Sequence, residues 1–355
     1  MTIDYKALAS APRLLMEANL KPVQGHRFQP TGFADLGPAR YTLPDGMEML
    51  LVESAQSVAN RMELACWDPV AQDLIEGLRG LPYVRIVDDT GNHVSNSLLE
   101  AHRINSEYIM KDAARVVESD KGVPKKIEER SFNDEFAGEI EYQKDGRVNW
   151  TRFHTALLKY DPNCLIHGCF LEEIGGRLRV TRALSGFIEA RGVAVAESGG
   201  VKNNIVQPEL RGGEGNVPFH RTEFTGEIKA YFNLDLALIR GHGLGDAATR
   251  LLIDLSLFKI RRFLSTGLRL RTACDLEVDG DLTVTRPKGF TITGDEDALL
   301  GECRRLIGEC EGLFASPSVT EVAWKPSKGK SKAKKENGDG EAGGKGASQE
   351  EDVKE

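Results

Sequence analysis

Residues 225–264 read TGEIKAYFNLDLALIRGHGLGDAATRLLIDLSLFKIRRFL, and both periods of secondary structure occur within them. From Thr225 to Ile239 apolar residues alternate, so Ile228, Ala230, Phe232, Leu234 and Leu236 share one face of a long strand. Arg240-Gly-His-Gly-Leu-Gly245 turns the chain. Asp246 to Leu264 then follows a helical pattern, with Asp246 placed as its N-cap. A strand that feeds a long apolar helix through a glycine turn is one unit of a layered domain.

Downstream, Leu268–Val278 and Leu282–Arg286 read as a hairpin around Asp279-Gly280, followed by a helix at about 295–311 and a short strand near 319–323. Upstream, Leu178 to Ala196 alternates like paired strands, Tyr83–Val87 is a strand, and 149–160 is a helix ending at Asp161-Pro162. Residues 4–18, with Tyr5, Leu8, Leu14 and Leu15, read as an amphipathic helix, 19–46 as an extended loop and 50–66 as a helix. Strand, helix and hairpin recur in this order in α+β sandwiches whose helices cover one sheet face. Residues 1–324 are expected to form a single domain, with a helical insertion at about 107–160 and a polar, glycine-rich projecting loop or hairpin at about 198–222. Residues 325–355, lysine-rich to Lys335 and without an aromatic, are expected to be a disordered charged tail.

The composition narrows the function classes. No apolar run is long enough for a membrane span, and Met-Thr-Ile-Asp-Tyr-Lys lacks a signal-peptide core, so a cytoplasmic protein is expected. The cysteines at 66, 164, 169, 274, 303 and 310 include no Cys-x-x-Cys pair and read as small apolar residues, with no metal and no cofactor expected. A net charge of −8 opposes indiscriminate nucleic-acid binding. Local arginine clusters at Arg177, Arg179, Arg182 and Arg191, and at Arg261, Arg262, Arg269 and Arg271, leave room for a basic groove on an acidic body.

Two segments are polar in an unusual way. Read as a helix, 49–61 places Ser54, Gln56, Ser57, Asn60 and Arg61 on or beside one face, with few of the Glu and Lys residues of an ordinary solvated face. Gln24, His26, Arg27, Phe28, Gln29, Thr31 and Phe33 combine one arginine, polar groups and aromatics on one loop. Neutral hydrogen-bond groups with single guanidiniums suit holding a polyanionic backbone, and aromatics suit base stacking. The other reading of these residues is a solvated face and a self-stabilised loop. Arg103 either contacts RNA or pairs with an acid such as Glu100. Arg182, Lys202, Asn203, His220 and Arg221 are either RNA contacts or ordinary surface residues. Arg269 and Arg271 alternate on a strand and make either a phosphate track or salt bridges to Asp275 or Glu277. Arg240, Gly241, His242 and Gly243 match neither a dinucleotide fingerprint nor a Walker loop, so they make either a tight turn or a phosphate-accepting helix start.

These segments, with Ser97–Ser106, Arg182–Ala190, Ser198–Asn203, Pro218–Phe224, Gly241–Gly245 and Leu268–Leu276, resemble the backbone RAMP subunit of the type I-G (formerly I-U) CRISPR effector complex, Cascade. The resemblance is spread over roughly residues 13 to 290. It implies an RRM/ferredoxin-like RAMP palm with an inserted helical segment and a thumb at about 198–222. It also implies a non-catalytic subunit that oligomerises head to tail along CRISPR (guide) RNA and presents it for pairing with target DNA, beside other subunits of the effector complex in antiviral defence. The competing expectation is a RAMP-type ribonuclease that processes guide RNA or cuts target RNA, with His26, His102, His220 and Asp35 as candidate groups.

Overall fold

In the computed structural model, 3–33, 37–88, 90–111, 113–117, 126–176, 178–196 and 222–324 are the described residues. The described residues up to Trp324 belong to one compact unit. The expectations for 325–355, and for the projecting loop up to Arg221, lie outside the described residues.

In chain order the strands used below are β1 (Arg13–Pro22), β2 (Arg40–Thr42), β3 (Glu48–Glu53), β4 (Tyr83–Val87), β5 (His93–Asn96), β6 (Ala114–Val117), β7 (Lys126–Ser131), β8 (Leu184–Ala196), β9 (Glu223–Asp235), β10 (Arg269–Arg271), β11 (Cys274–Val278), β12 (Thr283–Arg286) and β13 (Val319–Ala323). The helices are α1 (Ala55–Leu64), α2 (Phe132–Glu139), α3 (Trp150–Tyr160), α4 (Asn163–His167), α5 (Leu236–Gly241), α6 (Asp246–Thr266) and α7 (Glu296–Cys310). The main sheet runs β10-β11-β1-β9-β8-β3-β2, antiparallel throughout, with β12 also paired to β1. A second sheet runs β7-β6-β13-β4-β5, and its β13–β4 pair is parallel.

Helix α6 joins the layers. Residues Leu251 to Ile260 are all buried, the pattern of a helix surrounded by protein. Its apolar residues share one core with β1, β8 and β9 and with Val84, Ile86 and Val322 of the second sheet.

Several expectations are corrected. Residues 4–18 are mostly not helical: after one short turn, Tyr5–Leu8, the chain enters β1, whose buried residues Leu14, Met16, Ala18 and Leu20 alternate. Ladder bonds to β9 over Arg13–Leu20 override the helical reading. The expected helix at 50–66 begins as strand β3, because Met49, Leu50 and Leu51 pair with β8. Strand β9 ends at Asp235, whose side chain accepts the Leu238 N–H and starts α5. Asp246 is inside α6, and Gly245, at φ +83°, holds the N-cap position. Strands β11 and β12 do not pair as a hairpin; each bonds to β1. The region at about 107–160 contains strands as well as helices, because Ala114 and Arg115 pair with β13.

Candidate nucleic-acid interface

Strand β3 delivers the chain to α1, where Ser54 caps the helix by accepting the Ser57 N–H at 3.3 Å. One turn on, Gln56 Nε2 donates to Asn60 Oδ1 at 3.0 Å. Arg182 reaches over from the segment before β8. It donates to the Ala55 carbonyl at 3.1 Å, to Gln56 Oε1 at 2.7 Å and to the His167 carbonyl at 3.3 Å. Burial, with the nearby Arg103 charge, pulls the Arg182 pKa below the usual arginine range. Gln56, Asn60 and Arg182 thus stand on one side of a groove of 920 Å³ that is also lined by His102, Arg103, Lys111, His167, Phe170 and Arg179.

The groove has a charged but closed floor. Arg103 donates to both Glu63 carboxylate oxygens at 2.7 Å, and to the Gly168 carbonyl at 3.3 Å. Both residues are buried. The Glu100 alternative for Arg103 is not used, since Glu100 accepts Ser95 Oγ at 2.5 Å and Ser106 Oγ at 2.9 Å. Beside this pair, Lys259 Nζ donates to Asn163 Oδ1 at 2.6 Å and lies 3.0 Å from His167 Nε2. Asp161 accepts from the Asn163 backbone N–H at 3.0 Å and side-chain amide at 2.9 Å. Burial lowers the Lys259 pKa and raises that of Asp161. Burial, then the Lys259 charge, pulls His167 well down, so this ring is neutral. The floor is a rigid polar network, and Arg103 is corrected from an RNA contact to a member of it.

The first loop lies against Val52 and Glu53, just before α1, and is stitched down by backbone bonds. Phe28 is fully buried and bridges Phe224 through two 2.9 Å backbone hydrogen bonds, so it is core and not a base platform. The Gln29 N–H donates to the Ala273 carbonyl at 2.7 Å and the Thr31 N–H to the Val52 carbonyl at 2.9 Å. Arg27 pairs with Glu223 at 3.0 Å, while Gln24 and His26 are exposed. Phe33 pairs in a short ladder with Gly37. Arg61 donates to the Leu270 carbonyl at 2.5 Å and the Arg269 carbonyl at 3.4 Å. Arg271 donates to the Gln29 carbonyl at 2.7 Å and to the Glu53 carboxylate. Arg269 and Arg271 do not form a ladder on one face: the register shifts between them, and only Arg269 is exposed.

The glycine turn is also structural. Arg240 donates to the Leu8 and Ala11 carbonyls at 3.3 and 2.8 Å. His242 is buried, with its ring 4.5 Å from that of His154. Burial and then His154 depress its pKa to about 4. Gly241 ends α5, and Gly243 takes φ +69°, a conformation that favours glycine. The His242 ring is therefore unavailable to a polyanion, and the Arg240 guanidinium serves to tie the turn to the start of the chain. Lys202, Asn203, His220, Arg221 and Asp35 lie outside the described residues.

The profile of the family described as CRISPR-associated protein GSU0053 (Cas_GSU0053) matches residues 14–195, just over half of the chain. The chain belongs to this CRISPR-associated family. The matched span includes α1, the whole lining of the groove and its floor residues except Lys259. No curated protein matches the chain. Among solved structures, it is similar to a chain of a "CRISPR RNA-guided surveillance complex, pre-nicking", at 14% identity and a TM-score of 0.32, over 75% of this chain and 76% of that one. It is similar also to Csc2 of Thermofilum pendens, at 11% identity and a TM-score of 0.31, over 88% and 80%. Both superpositions are loose, so the functional reading rests on the family match and on the groove.

Of the candidates read from sequence, the groove brings together Gln56, Asn60, Arg103 and Arg182, with His102. Gln29, Thr31, Arg61, Arg269 and Arg271 meet instead around Val52, Glu53 and Leu270. Sequence reasoning did not single out Phe170. Its only signal is a three-residue alternation, Cys169-Phe-Leu171, shorter than pattern reading resolves. Among the described residues no group of three His, Cys, Asp or Glu is placed to hold a metal, and no helix is long and apolar enough to cross a membrane.

Proposed function

We propose that this chain is a non-catalytic, guide-RNA-binding backbone subunit of a type I-G CRISPR effector complex in the cytoplasm. Copies line up head to tail along the guide and present it for pairing with target DNA. The observation that carries the proposal is the Arg182–Gln56–Asn60 cluster at the start of α1 on an open groove, within the matched family span. A guanidinium pre-oriented by three acceptors, short of counter-charge, favours a phosphate oxygen, and the two amides supply hydrogen bonds without reading sequence.

The topology supports an RRM-type palm. The adjacent antiparallel strands β11, β1, β9 and β8 have the order of a ferredoxin-like sheet, and α6 links β9 to the β10–β11 hairpin as the second crossover. On this reading base pairing supplies target specificity while the protein holds the backbone.

The test is co-expression with a repeat–spacer array, followed by size exclusion read at two wavelengths. Coelution of protein oligomer with one discrete RNA length is expected, and Arg182→Ala should release RNA. RNA-free protein in the presence of the companion subunits would sink the reading. RNA trimmed by the purified chain would replace it with the ribonuclease reading.

A further inference from the structure

The groove has a second wall that the cluster on α1 does not use. Cys169–Leu171 pairs antiparallel with Leu178–Val180 as a two-stranded ribbon. Leu171, Leu178 and Val180 are buried and anchor it. Phe170 and Arg179 are direct cross-strand partners, so their side chains leave the same face. Phe170 is 44% exposed, and Arg179 is exposed with no ion pair or hydrogen bond among the described residues. The other two arginines of the groove, Arg103 and Arg182, are tied by the bonds given above. A free phenyl ring beside a free guanidinium, on a ribbon held by three buried residues, is a ready-made stacking and phosphate site.

Charge limits what fits. Arg182 stands at the ribbon end next to α1, while Glu172 and Glu173 stand at its turn, with Glu100, Glu107 and Lys111 along the remaining wall. Four glutamates oppose a continuous phosphate track, so the cationic half of the groove has room for a short stretch of strand and not a long one. The volume of 920 Å³ accommodates a nucleotide.

We infer that Phe170 and Arg179 form a single-nucleotide subsite for the bound RNA strand: the phenyl ring stacks one base and the guanidinium takes the adjoining phosphate. This rests on the RNA-binding reading above. It adds a position at which the strand is held by its base and not by its backbone alone.

The test is fluorescence anisotropy of the full chain with labelled oligoadenylate across a salt series. Phe170→Ala should weaken binding about tenfold at every salt concentration, and Phe170→Tyr should restore it, because stacking is only weakly salt-dependent. Arg179→Ala should reduce the slope of log affinity against log salt by about 0.7, and Arg179→Lys should keep it. If both alanine variants bind as wild type while Arg182→Ala loses RNA, the subsite is wrong and the RNA-binding reading stands. If the wild-type chain binds no oligonucleotide at any salt, both fall. If the two variants lose only the matching oligodeoxynucleotide, the assignment to the RNA strand is overturned.

Discussion

Arg103 on the floor of the groove and Arg179 on its rim face the same cavity, and their circumstances are opposite. Arg103 is 4% exposed and both of its charged contacts go to Glu63. Arg179 is exposed on a ribbon, with no counter-charge of its own among the described residues. A guanidinium whose counter-ion is built into the fold holds the fold together, and one left without a counter-ion is free to recruit a ligand. The surroundings of the first loop repeat the floor's arrangement: Arg61 and Arg271 converge on Glu53 and on backbone carbonyls. Arginine count alone therefore overstates the nucleic-acid surface, in keeping with a chain whose net charge is −8.

The largest expected effect breaks the floor. Arg103→Ala leaves Glu63 buried without its partner and should cost about 3–5 kcal/mol in urea unfolding. The double variant Arg103→Met, Glu63→Leu should recover most of it. A loss under about 1 kcal/mol for Arg103→Ala would show that floor and rim do not differ. On the rim, Arg182→Ala should weaken RNA loading by about 1–3 kcal/mol, as for a charge-assisted bond, and should cost about 1 kcal/mol of stability, because its bonds to the Ala55 and His167 carbonyls go too. A stability loss as large as that of Arg103→Ala would move Arg182 to the structural side.

The two histidines His102 and His242 extend the comparison to pH. His102 is exposed on the groove, and His242 is buried. His242 has its pKa depressed to about 4, against about 6.5 when unfolded. The unfolded chain therefore binds the extra proton first. The contribution of His242 is fully present above pH 6.5 and is lost as pH falls towards 4, with a slope of up to ~1.4 kcal/mol per pH unit. In His242→Gln that part of the acid sensitivity should disappear; equal slopes for both proteins would contradict a neutral buried ring. A smaller effect is expected of Arg61→Ala, which removes two backbone contacts of α1 and should cost about 1 kcal/mol by thermal melting. Arg27→Ala breaks a pair that is largely solvent-exposed on the arginine side, and should stay within about 0.5 kcal/mol.

Much of the fold is legible where one period dominates. The core of β9, strand β4, the helical runs of α6 and α7 and strand β13 follow directly from alternation or helical spacing. Near Leu14 and Met49 apolar residues satisfy both periods, and there the neighbouring strand decides: β9 claims β1, and β8 claims β3. The site is legible in its residue types and not in its membership. Gln56 and Asn60 are identifiable as polar groups out of keeping with an ordinary helix face, and Arg182 as one of a local cluster of arginines. That Arg182 crosses to α1, 126 positions away in sequence, follows only from packing.

What the amino-acid sequence determined alone is the set of elements with a single clear period, the polar character of the α1 face and the acidic balance of the whole. The tertiary structure alone decided which cations are spent. Glu63 and Arg103 are 40 positions apart, and Glu53 and Arg271 are 218. Ion pairs at such separations are made by strand order and helix packing, to which local pattern carries no information. The same packing buries Phe28 and His242 and leaves Phe170 and Arg179 facing water, because burial is a property of what lies opposite a side chain and not of the side chain itself.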